Sequence, residues 1–451
     1  MYLTQKFAAF IAQTKYDDLP EQVVMLAKER IMDTLGAAIA GSVNWEYASQ
    51  LREACRNLGS GDCGVIGGEK CYPAAHAAMI NATYAHSVEL DDGHKNAGCH
   101  AGAVVVPTAI TMAQALGRSG KELITAVAIG YEVTYRIASH VNPAQINKGF
   151  HPSSNCGAYG AAAVAGKLMR LNEEQLANAL GQAGMLASGT MEATKSGQRA
   201  KCVQVGNAAY NGILAAYLAE TGMEGCLTAL EGPNGLFATQ SENVDVEDVC
   251  RDLGKVYTIG DTYNKMYPSC RHAQPGIEAA LDLGVEHGID PDDVAAVHIG
   301  THKVAYELTG IIKKPKNSGE AKFSLAYGSA VALREHGFGV ANLMEQSYTN
   351  SEILQLADKV TCEIDPDVQA LFPRKRGAKV RIELKDGTVY EKELYDLKGS
   401  PGNPVGWEEL LAKFEANVKT TLSDRQTGQL VDVLKHLEQS KDIAVLTKLL
   451  P

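Results

Sequence analysis

Small residues dominate the first 260 residues of this chain, and they restrict the folds that it can adopt. The segments there place apolar residues at helical spacing and carry many Ala and Gly residues. The alternation of β-branched residues that is typical of strands is nearly absent. Because small side chains let helix axes approach closely, this part is predicted to be a set of tightly packed helices. The predicted helices are 20–35, 74–85, 104–116, 120–137, 157–168, 173–187 and 207–220.

The pattern changes after Lys265, where helices and strands alternate. Asp386 and Gly387 separate two alternating segments, 379–385 and 388–394, and Asp-Gly between such segments is a strong hairpin signal. After a linker with Gly and Pro at 398–404, the chain returns to helical spacing. The other elements predicted here are a helix at 274–286, a strand at 294–300, a helix at 324–336, a strand at 360–364 and helices at 407–416 and 424–437.

These segments predict a mainly α fold. A large, discontinuous, all-helical domain in the form of a helical bundle is expected from residues 1–264 and 398–451. A smaller α+β domain, residues 265–397, is expected to be inserted into it. A chain of 451 residues is longer than one ordinary hydrophobic core accommodates, which agrees with two domains.

Composition excludes several classes of function. The chain is 45% hydrophobic and 21% charged, which is typical of a soluble globular protein. Its formal net charge of −11 argues against nucleic acid or an anionic membrane as the main partner. Ten cysteines without a Cys-x-x-Cys pair do not suggest a disulfide framework, so a cytoplasmic location is expected. The first residues lack a signal-peptide pattern, and small-apolar tracts such as 158–165 are too short to span a bilayer.

Titratable side chains are concentrated between His86 and His100, in a segment that Ala- and Gly-rich apolar sequence flanks on both sides. The segment contains His86, Glu89, Asp91, Asp92, His94 and His100. Acids and bases crowded beside a core are how proteins shift pKa values toward neutrality for proton transfer. The cluster therefore indicates an enzyme.

Three further segments add basic residues. His151 stands before Pro152 at the start of a small-residue helix, whose free N–H groups can bind an anion. Arg199 and Lys201 precede another such helix. Since Lys and Arg pair with carboxylates, these groups would form a positive pocket for a di- or tricarboxylate in a negative protein. The third segment, at the predicted domain junction, contains Lys265, Tyr267, Cys270, Arg271 and His272.

Each of these groups also has a purely structural interpretation. His86 could stabilise a helix end, and the Asp91–Asp92 pair could cap the next segment. His151 could be a buried structural imidazole, and Lys201 could flank a helix in solvent. Cys270 could be a small hydrophobic residue, since a cysteine is more often inert than a nucleophile.

A metal site is the main alternative for the acidic cluster. His, Glu and Asp ligands within fifteen residues could hold zinc, iron or manganese. No His-Glu-x-x-His or other tight ligand spacing occurs, and Lys and Arg are unfavourable neighbours of a cation. Neither a metal nor a cofactor is therefore predicted. A P-loop, a Gly-x-Gly-x-x-Gly motif after a strand and Gly-x-Ser-x-Gly are also absent, which argues against nucleotide chemistry and weakens a hydrolase interpretation.

Several motifs follow one another in a specific order along nearly the whole chain. They are residues 33–41, 89–92, 149–152, 201–209, 265–270 and 323–327. In order and spacing they resemble the MmgE/PrpD family, which includes 2-methylcitrate dehydratase, cis-aconitate decarboxylase and iminodisuccinate epimerase. The resemblance implies a helical domain formed by both chain ends, an inserted α+β domain, a basic and generally metal-free active site between the two, and a homodimer.

The resemblance also implies roles for individual residues. Glu89 matches an acidic site residue of the family's decarboxylases, and His100 matches the His that follows it, with one extra residue in this loop. His151 and Lys201 match the site His and Lys, and Lys265 matches a second Lys.

Two positions differ from the decarboxylase pattern, which has His where this chain has Cys270 and Gln204. Arg271 and His272 could supply the missing base or carboxylate clamp, as a Cys-Arg-His segment does in other branches of the family.

The expected chemistry is removal of a proton from the carbon next to a carboxylate. We expect Lys201, Lys265 and Arg271 to neutralise the substrate carboxylates and the developing enolate-like charge. His151 or His100 is expected to be the base. The candidates for the acid are Asp91, His94, Tyr267 and His272, and the remaining predicted substrate contacts are Glu89, Arg199 and Cys270.

Three reactions fit this chemistry, because a fold does not fix a reaction. A dehydratase of the 2-methylcitrate dehydratase type is predicted first, an epimerase or isomerase of the iminodisuccinate epimerase type second, and a decarboxylase of the cis-aconitate type third. A metallohydrolase and a non-catalytic anion-binding protein are the alternatives from other classes.

Overall fold

Helices fill most of the first 260 residues in the computed structural model, which describes residues 1–68, 70–195 and 198–451. No helix in these described ranges combines the length and apolar character needed to cross a membrane. The helices of this part are α1 (Leu3–Gln13), α2 (Glu21–Asn44), α3 (Ala48–Arg56), α4 (Ala74–Ser87), α5 (Ala101–Ala115), α6 (Gly120–Val141), α7 (Ala144–Asn147), α8 (Pro152–Met169), α9 (Glu173–Leu186), α10 (Glu192–Lys195), α11 (Val203–Glu220), α12 (Leu236–Gln240) and α13 (Val246–Val249).

Three helices begin earlier than predicted. Helix α5 begins at Ala101 instead of residue 104, and the early starts of α8 and α11 matter most for the site. Helix α8 begins at Pro152 instead of residue 157, because Pro fits the first turn, where a helix needs no N–H donor. Helix α11 begins at Val203 instead of residue 207, directly after a short 3₁₀ turn at Arg199–Cys202. Both starts bring polar side chains to the edge of the helical core.

Helix α8 lies at the centre of the helical part. It packs against α5, α6, α9 and α11, and α11 in turn packs against α4. Small residues permit this, since a Cβ on Gly212 of α11 would lie 2.3 Å from the Cβ of Ala161 on α8. Close packing of α4, α8 and α11 brings the end of α4 and the starts of α8 and α11 into one region.

The second part of the chain alternates helices and strands, as predicted. Its sheet has four strands, in the order β6 (Val360–Ile364), β5 (Val294–Thr301), β7 (Ala378–Leu384) and β8 (Val389–Leu394). Strands β5 and β6 are parallel, and the other neighbouring strands are antiparallel. The predicted hairpin is present, and Gly387 in its turn has the positive φ of 91° that favours glycine. The elements are α14 (Gln274–His287), β5 (Val294–Thr301), α15 (Lys303–Ala305), α16 (Ser318–Lys322), α17 (Leu325–Glu335), α18 (Glu345–Tyr348), α19 (Ser351–Asp358), β6 (Val360–Ile364), α20 (Pro366–Leu371), β7 (Ala378–Leu384) and β8 (Val389–Leu394).

The chain ends in helices α21 (Trp407–Val418), α22 (Asp424–Lys435) and α23 (Ala444–Thr447). Helix α21 packs against α2, so both ends of the chain belong to the helical part. Lys413 of α21 lies 2.5 Å from an oxygen of Asp33 on α2 and donates a hydrogen bond to the carbonyl of Leu90 at 3.0 Å. The returning tail therefore fixes the loop that follows α4.

Two groups of buried apolar side chains support the proposed division near residues 265 and 397. One group joins residues 3–259 to residues 405–446. The other joins residues 273–382, together with Ala37, Ala40, Val88 and Leu90 of the helical part. The fold is therefore a mainly α structure with a smaller part built around a sheet.

Short strand pairs also occur inside the part predicted to be all-helical. Strand β1 (Cys63–Gly64) pairs with β2 (Lys70–Tyr72), and β3 (Gly93–His94) pairs with β4 (Thr262–Tyr263). They are only two or three residues long. Strands this short do not show the alternation of apolar and polar residues by which a sequence indicates a strand. The β3–β4 pair joins the acidic loop to the segment that leads into the α+β part.

Replacing Gly41 by Ala tests the close packing of α2 on α4. A Cβ at Gly41 would lie 2.1 Å from the backbone oxygen of Tyr84, so the two helices would have to separate. We expect the free energy of unfolding to fall by roughly 1–3 kcal/mol, measured by chemical denaturation. The control is Gly428→Ala on α22, where nothing lies within 4 Å and better helix propensity should stabilise by roughly 0.5–1 kcal/mol. Equal stability of Gly41→Ala and the wild type would contradict this packing.

Candidate active site

The acidic segment begins in the last turn of α4 and ends at the start of α5. His86 lies in the last turn of α4, and His100 directly precedes α5. Between them, Glu89 has a left-handed backbone with a φ of 53°, which is rare for a residue with a side chain. Strain of this kind is concentrated at functional sites, and here it turns the Glu89 carboxylate toward two lysines.

Glu89 forms a buried ion pair with each of these lysines. Its Oε2 lies 2.9 Å from Nζ of Lys201, and its Oε1 lies 3.1 Å from Nζ of Lys265. The side chains of Lys265 and Glu89 are 0% and 7% exposed, so water contributes little to their solvation. Burial would raise the pKa of Glu89, but the two ammonium groups outweigh it and hold this pKa well below its usual value. The carboxylate is therefore ionised at neutral pH.

Asp91 forms the second anionic centre. Its Oδ2 accepts a hydrogen bond from Nδ1 of His86 at 2.7 Å and lies 3.5 Å from Nδ1 of His100. Its Oδ1 lies 4.0 Å from Nζ of Lys265. Burial would raise the pKa of Asp91, but its imidazole and ammonium neighbours lower it. Asp91 is therefore an ionised carboxylate, and it orients the ring of His86.

The His100 and His151 imidazoles are held neutral. Burial, with the Lys265 charge as a further cause, lowers the pKa of His100 to about 3, and Nδ1 of this ring donates to the Asp92 carbonyl at 2.6 Å. Burial and the Lys201 charge lower the pKa of His151 well below its usual value. Both rings therefore have a nitrogen lone pair at neutral pH.

His151 directly precedes α8, where the predicted histidine–proline start places it. Its backbone N–H donates to the carbonyl of Gly189 at 3.1 Å, and its ring centroid lies 6.2 Å from that of His86. Ser153, in the first turn of α8, accepts a hydrogen bond from the His100 backbone at 3.0 Å. The start of α8 therefore holds both neighbouring imidazoles in place.

A cavity lies between the helical part and the α+β part. The described residues that line it from the α+β part are Gly319, Lys322 and Phe323. Those that line it from the helical part are His86, Ser87, Glu89, Ala193, Thr194, Gln198, Arg199, Lys201 and Cys202. Nε2 of His86 has no hydrogen-bond partner among the described residues and is buried. Buried polar nitrogens are nearly always paired, so this atom is a candidate for contact with a ligand.

Lys322 was not predicted from the sequence. It ends α16, is 6% exposed, and donates a hydrogen bond to the carbonyl of Ser87 at 2.8 Å. Burial lowers its pKa. Lys322 and Ser87 are 235 residues apart in the chain, so spacing gave no signal. The only sequence signal for Lys322 was its place beside Phe323, the first residue of a recognised motif.

The site carries a surplus of positive charge. The ammonium groups of Lys201, Lys265 and Lys322 face two carboxylates, Glu89 and Asp91, while His100 and His151 are neutral. Lys322 has no carboxylate within ion-pair distance among the described residues. A buried surplus of this kind favours an anionic ligand, because the ligand charge would offset the cost of desolvating the ammonium groups.

The other predicted residues have varied surroundings. Arg199 lines the cavity, but its side chain is 39% exposed and pairs with Glu46 at 3.1 Å. The backbone N–H of Cys270 donates to the carbonyl of Lys322 at 2.9 Å, so Cys270 lies beside the site. Burial raises the pKa of its thiol.

Arg271, His272, Tyr267 and His94 are not among the described residues that line the cavity. The guanidinium group of Arg271 donates hydrogen bonds to Oε1 of Gln274 at 2.7 Å and to Oγ of Ser400 at 2.6 Å, and it lies over the ring of Tyr263. Nδ1 of His272 lies 3.4 Å from Nε2 of His302. The backbone carbonyl of Tyr267 accepts a hydrogen bond from Gln274, and the ring of His94 lies 4.7 Å from that of Tyr135. Their predicted roles stay predictions.

Three residues of the site lie close enough together to be considered as metal ligands. One ligand atom each of His86, Asp91 and His100 lies within 4.8 Å of the others. The 2.7 Å between Nδ1 of His86 and Oδ2 of Asp91 is a hydrogen-bond distance. Two ligands at about 2.1 Å from one tetrahedral ion would lie farther apart. The Lys265 ammonium group, 4.0 Å from Asp91, also disfavours a cation here.

Removing the charge of Glu89 tests the central ion pairs. Glu89→Gln leaves two buried ammonium groups without their shared carboxylate, so we expect a loss of about 3 kcal/mol in the free energy of unfolding. Chemical denaturation measures it. Glu247→Gln is the control, since Glu247 pairs with Lys6 at 3.0 Å but is 82% exposed, and its loss should stay below about 1 kcal/mol. Similar losses in the two variants would contradict the central role of Glu89.

The lowered pKa of His100 predicts a pH dependence of stability. In the unfolded chain its pKa is about 6.5, against about 3 when folded, so the unfolded state binds the proton first. The stabilisation from neutral His100 is therefore complete above pH 6.5 and is lost as the pH falls toward 3. In His100→Asn, the decrease in unfolding free energy between pH 6 and 4 should be shallower by about 1 kcal/mol per pH unit. The control is Gly428→Ala, which changes no titratable group and should keep the wild-type slope. An unchanged slope in His100→Asn would show that the folded protein does not hold this ring neutral.

Comparison with known proteins agrees with the motif resemblance. The model of the MmgE/PrpD N-terminal domain matches residues 5–248, and that of the MmgE/PrpD C-terminal domain matches residues 267–438. The chain is 28% identical to cis-aconitate decarboxylase of Homo sapiens, over 99% of this chain and 94% of the relative. It is also 28% identical to cis-aconitate decarboxylase of Aspergillus terreus, over 99% of this chain and 96% of the relative. Since the two family models together cover most of the chain, it belongs to the MmgE/PrpD family.

Proposed function

We propose that this chain is a metal-independent acid/base enzyme that removes a proton from the carbon next to a carboxylate of a small di- or tricarboxylate. Among such enzymes, we propose a hydro-lyase of the 2-methylcitrate dehydratase type. The observation that carries the proposal is the cavity lined by the buried lysines Lys201 and Lys322 and by the imidazole of His86. This combination fits proton abstraction from an anionic substrate.

The lysines account for recognition of the substrate. Lys201 and Lys322 line the cavity from opposite parts of the fold. A carboxylate between them would gain charge-assisted hydrogen bonds. Lys265 lies deeper, against Glu89 and Asp91, which outweigh its burial and raise its pKa. It therefore stays charged and adds to the field at the cavity.

The same ammonium groups would stabilise the intermediate. When a base takes the proton, the electron pair of the broken C–H bond stays on carbon and spreads into the neighbouring carboxylate. That carboxylate then carries additional negative charge, which Lys201 and Lys322 would meet without reorganisation. The cations thus bind the reacting carboxylate more strongly as the charge develops.

Dehydration needs a second proton for the leaving hydroxyl group. We assign it to Lys322, whose pKa burial lowers and which lines the cavity. The carbon–oxygen bond breaks, its electron pair leaves with oxygen, and the Lys322 proton completes a water molecule. The carbanion pair forms the new double bond. The proton held by the base then returns to Lys322 through solvent, which restores the site.

Decarboxylation is the second candidate, and the comparisons favour it. The relatives described above are named cis-aconitate decarboxylases and align over 99% of this chain. In that reaction a carbon–carbon bond breaks, carbon dioxide leaves, and an acid protonates the carbanion. This chain has Gln204 and Cys270 where the decarboxylase pattern has His. Gln204 accepts a hydrogen bond from the Thr190 backbone at 2.6 Å, so it holds a loop and supplies no acid.

NMR in D₂O tests the proposal directly. The protein, stripped of metal with a chelator, is incubated with 2-methylcitrate, citrate, cis-aconitate, malate, tartrate and iminodisuccinate in turn. We expect deuterium at a carbon next to a carboxylate, together with loss of water. Release of carbon dioxide or epimerisation instead would replace the hydro-lyase assignment. Turnover that needs an added divalent metal would overturn the metal-independent mechanism.

Lysine variants test the assigned cations. Lys201→Met and Lys322→Met keep side-chain length but remove the charge that meets the developing carbanion. We expect each to lower kcat/KM by about 100- to 1,000-fold, in the range for loss of one stabilising donor. The matched control is Lys303→Met, since Lys303 is 64% exposed and pairs with Glu307 on the surface. Wild-type turnover in both Lys201→Met and Lys322→Met would place the chemistry elsewhere.

A further inference from the structure

We propose that His86 is the base of the reaction and that Asp91 is its positioning residue. This inference rests on the proposed function and deepens it, because the sequence predicted His100 or His151 as the base. Nδ1 of His86 and Oδ2 of Asp91 form a 2.7 Å hydrogen bond between side chains that are both 0% exposed. Since a carboxylate can only accept, Nδ1 carries the proton of this hydrogen bond, which leaves Nε2 as the ring nitrogen that can take up a proton from a substrate.

His86 combines a place at the cavity with a ring nitrogen that has no partner in the described part of the chain. His86 is the one imidazole among the described residues that line the cavity, and its Nε2 is buried without a partner. Ser87, Glu89, Lys201 and Lys322 line the same cavity. A carboxylate held by the lysines would therefore lie in the space that His86 adjoins.

The other two imidazoles of the cluster, His100 and His151, are not among the described residues that line the cavity. Nδ1 of His100 donates to the Asp92 carbonyl at 2.6 Å, and the ring lies 5.2 Å from that of His86. Nδ1 of His151 is also buried without a partner among the described residues, and its ring lies 6.2 Å from that of His86. Both have lowered pKa values, so they surround His86 with neutral rings that do not repel an imidazolium ion.

The proposed step is a single proton transfer. The C–H bond next to the substrate carboxylate breaks, its proton forms a bond to Nε2 of His86, and its electron pair stays on the carbon. The imidazolium ion that results is stabilised by the Asp91 carboxylate, which holds the ring in the required tautomer and does not take up the proton. The charge on the substrate is met by Lys201 and Lys322.

Exchange of the substrate proton with D₂O tests His86 independently of the later steps. His86→Asn keeps a donor for Asp91 but removes the lone pair at Nε2. We expect the exchange rate to fall by about 100- to 10,000-fold, while substrate affinity changes less than about threefold. The control is His76→Asn, since His76 lies on the same helix, also has a buried unpartnered ring nitrogen, and contacts Tyr210 outside the site. Its exchange rate should stay within about twofold of the wild type.

The outcomes distinguish failure of the His86 assignment from failure of the proposed function. If the exchange rate of His86→Asn stays within tenfold of the wild-type rate, His86 is not the base, and the proposed function still stands. No exchange by the wild type with any carboxylate of the panel would overturn both. If His86→Asn does not fold, as shown by circular dichroism, His86→Ala is assayed with added imidazole. An exchange rate that added imidazole restores supports the proposal. If His86→Ala is folded and imidazole does not raise its exchange rate, the proposal is overturned.

Asp91→Asn tests the positioning role through the pH profile. Loss of the carboxylate removes the charge that stabilises the imidazolium ion, so the acid limb of kcat/KM should move to lower pH by about 1–3 units. Because an amide can also donate to Nδ1 and leave the proton on Nε2, kcat should fall by at least about 100-fold while KM stays within threefold. A purely structural role would lower activity without moving the limb. An unmoved limb in the folded variant would therefore overturn this role.

Discussion

The shared carboxylate of Glu89 is the interaction on which the site depends. Lys265 is fully buried and Lys201 is 9% exposed, and two ammonium groups this close would repel each other without an anion between them. One carboxylate oxygen faces each lysine, so a single side chain compensates both charges. The left-handed backbone at Glu89 costs about 1–2 kcal/mol, and the ion pairs offset it. The same turn places His86 before Glu89 and Asp91 after it.

Helix packing converts this local geometry into a cavity. Glycines let α2 approach α4 and let α11 approach α8, so the end of α4 meets the starts of α8 and α11. Each of these ends supplies a site residue, namely His86, His151 and Lys201. The tail helix holds the loop through the contact of Lys413 with Leu90, and the α+β part closes the cavity with Lys322. The cavity thus needs both ends of the chain and the segment between them.

The fold class could be predicted from the sequence because helical spacing, small residues and the Asp-Gly turn are local signals. The acidic loop, His151 and the two lysines paired with Glu89 could also be recognised, since each lies in a short motif. Lys322 could not, because its contact with Ser87 joins residues 235 positions apart. His86 was visible in the sequence, but its position in the last turn of α4 equally fitted a structural role. Only the burial of its free Nε2 beside the cavity distinguishes the two.

The choice among the three reactions depends on where the second proton goes. In dehydration and epimerisation a base forms the carbanion by removing a proton, whereas in decarboxylation the carbanion forms when carbon dioxide leaves. The lysines would stabilise the negative charge in each case. An epimerase needs a donor on the opposite face of the carbon, a decarboxylase needs one at the carbon that lost carbon dioxide, and a hydro-lyase needs one at oxygen. The resemblance implies that the decarboxylases have His where this chain has Gln204 and Cys270, so two candidate imidazole donors are missing here. Lys322 lines the cavity and has a lowered pKa, and it is the donor that we propose for the leaving group.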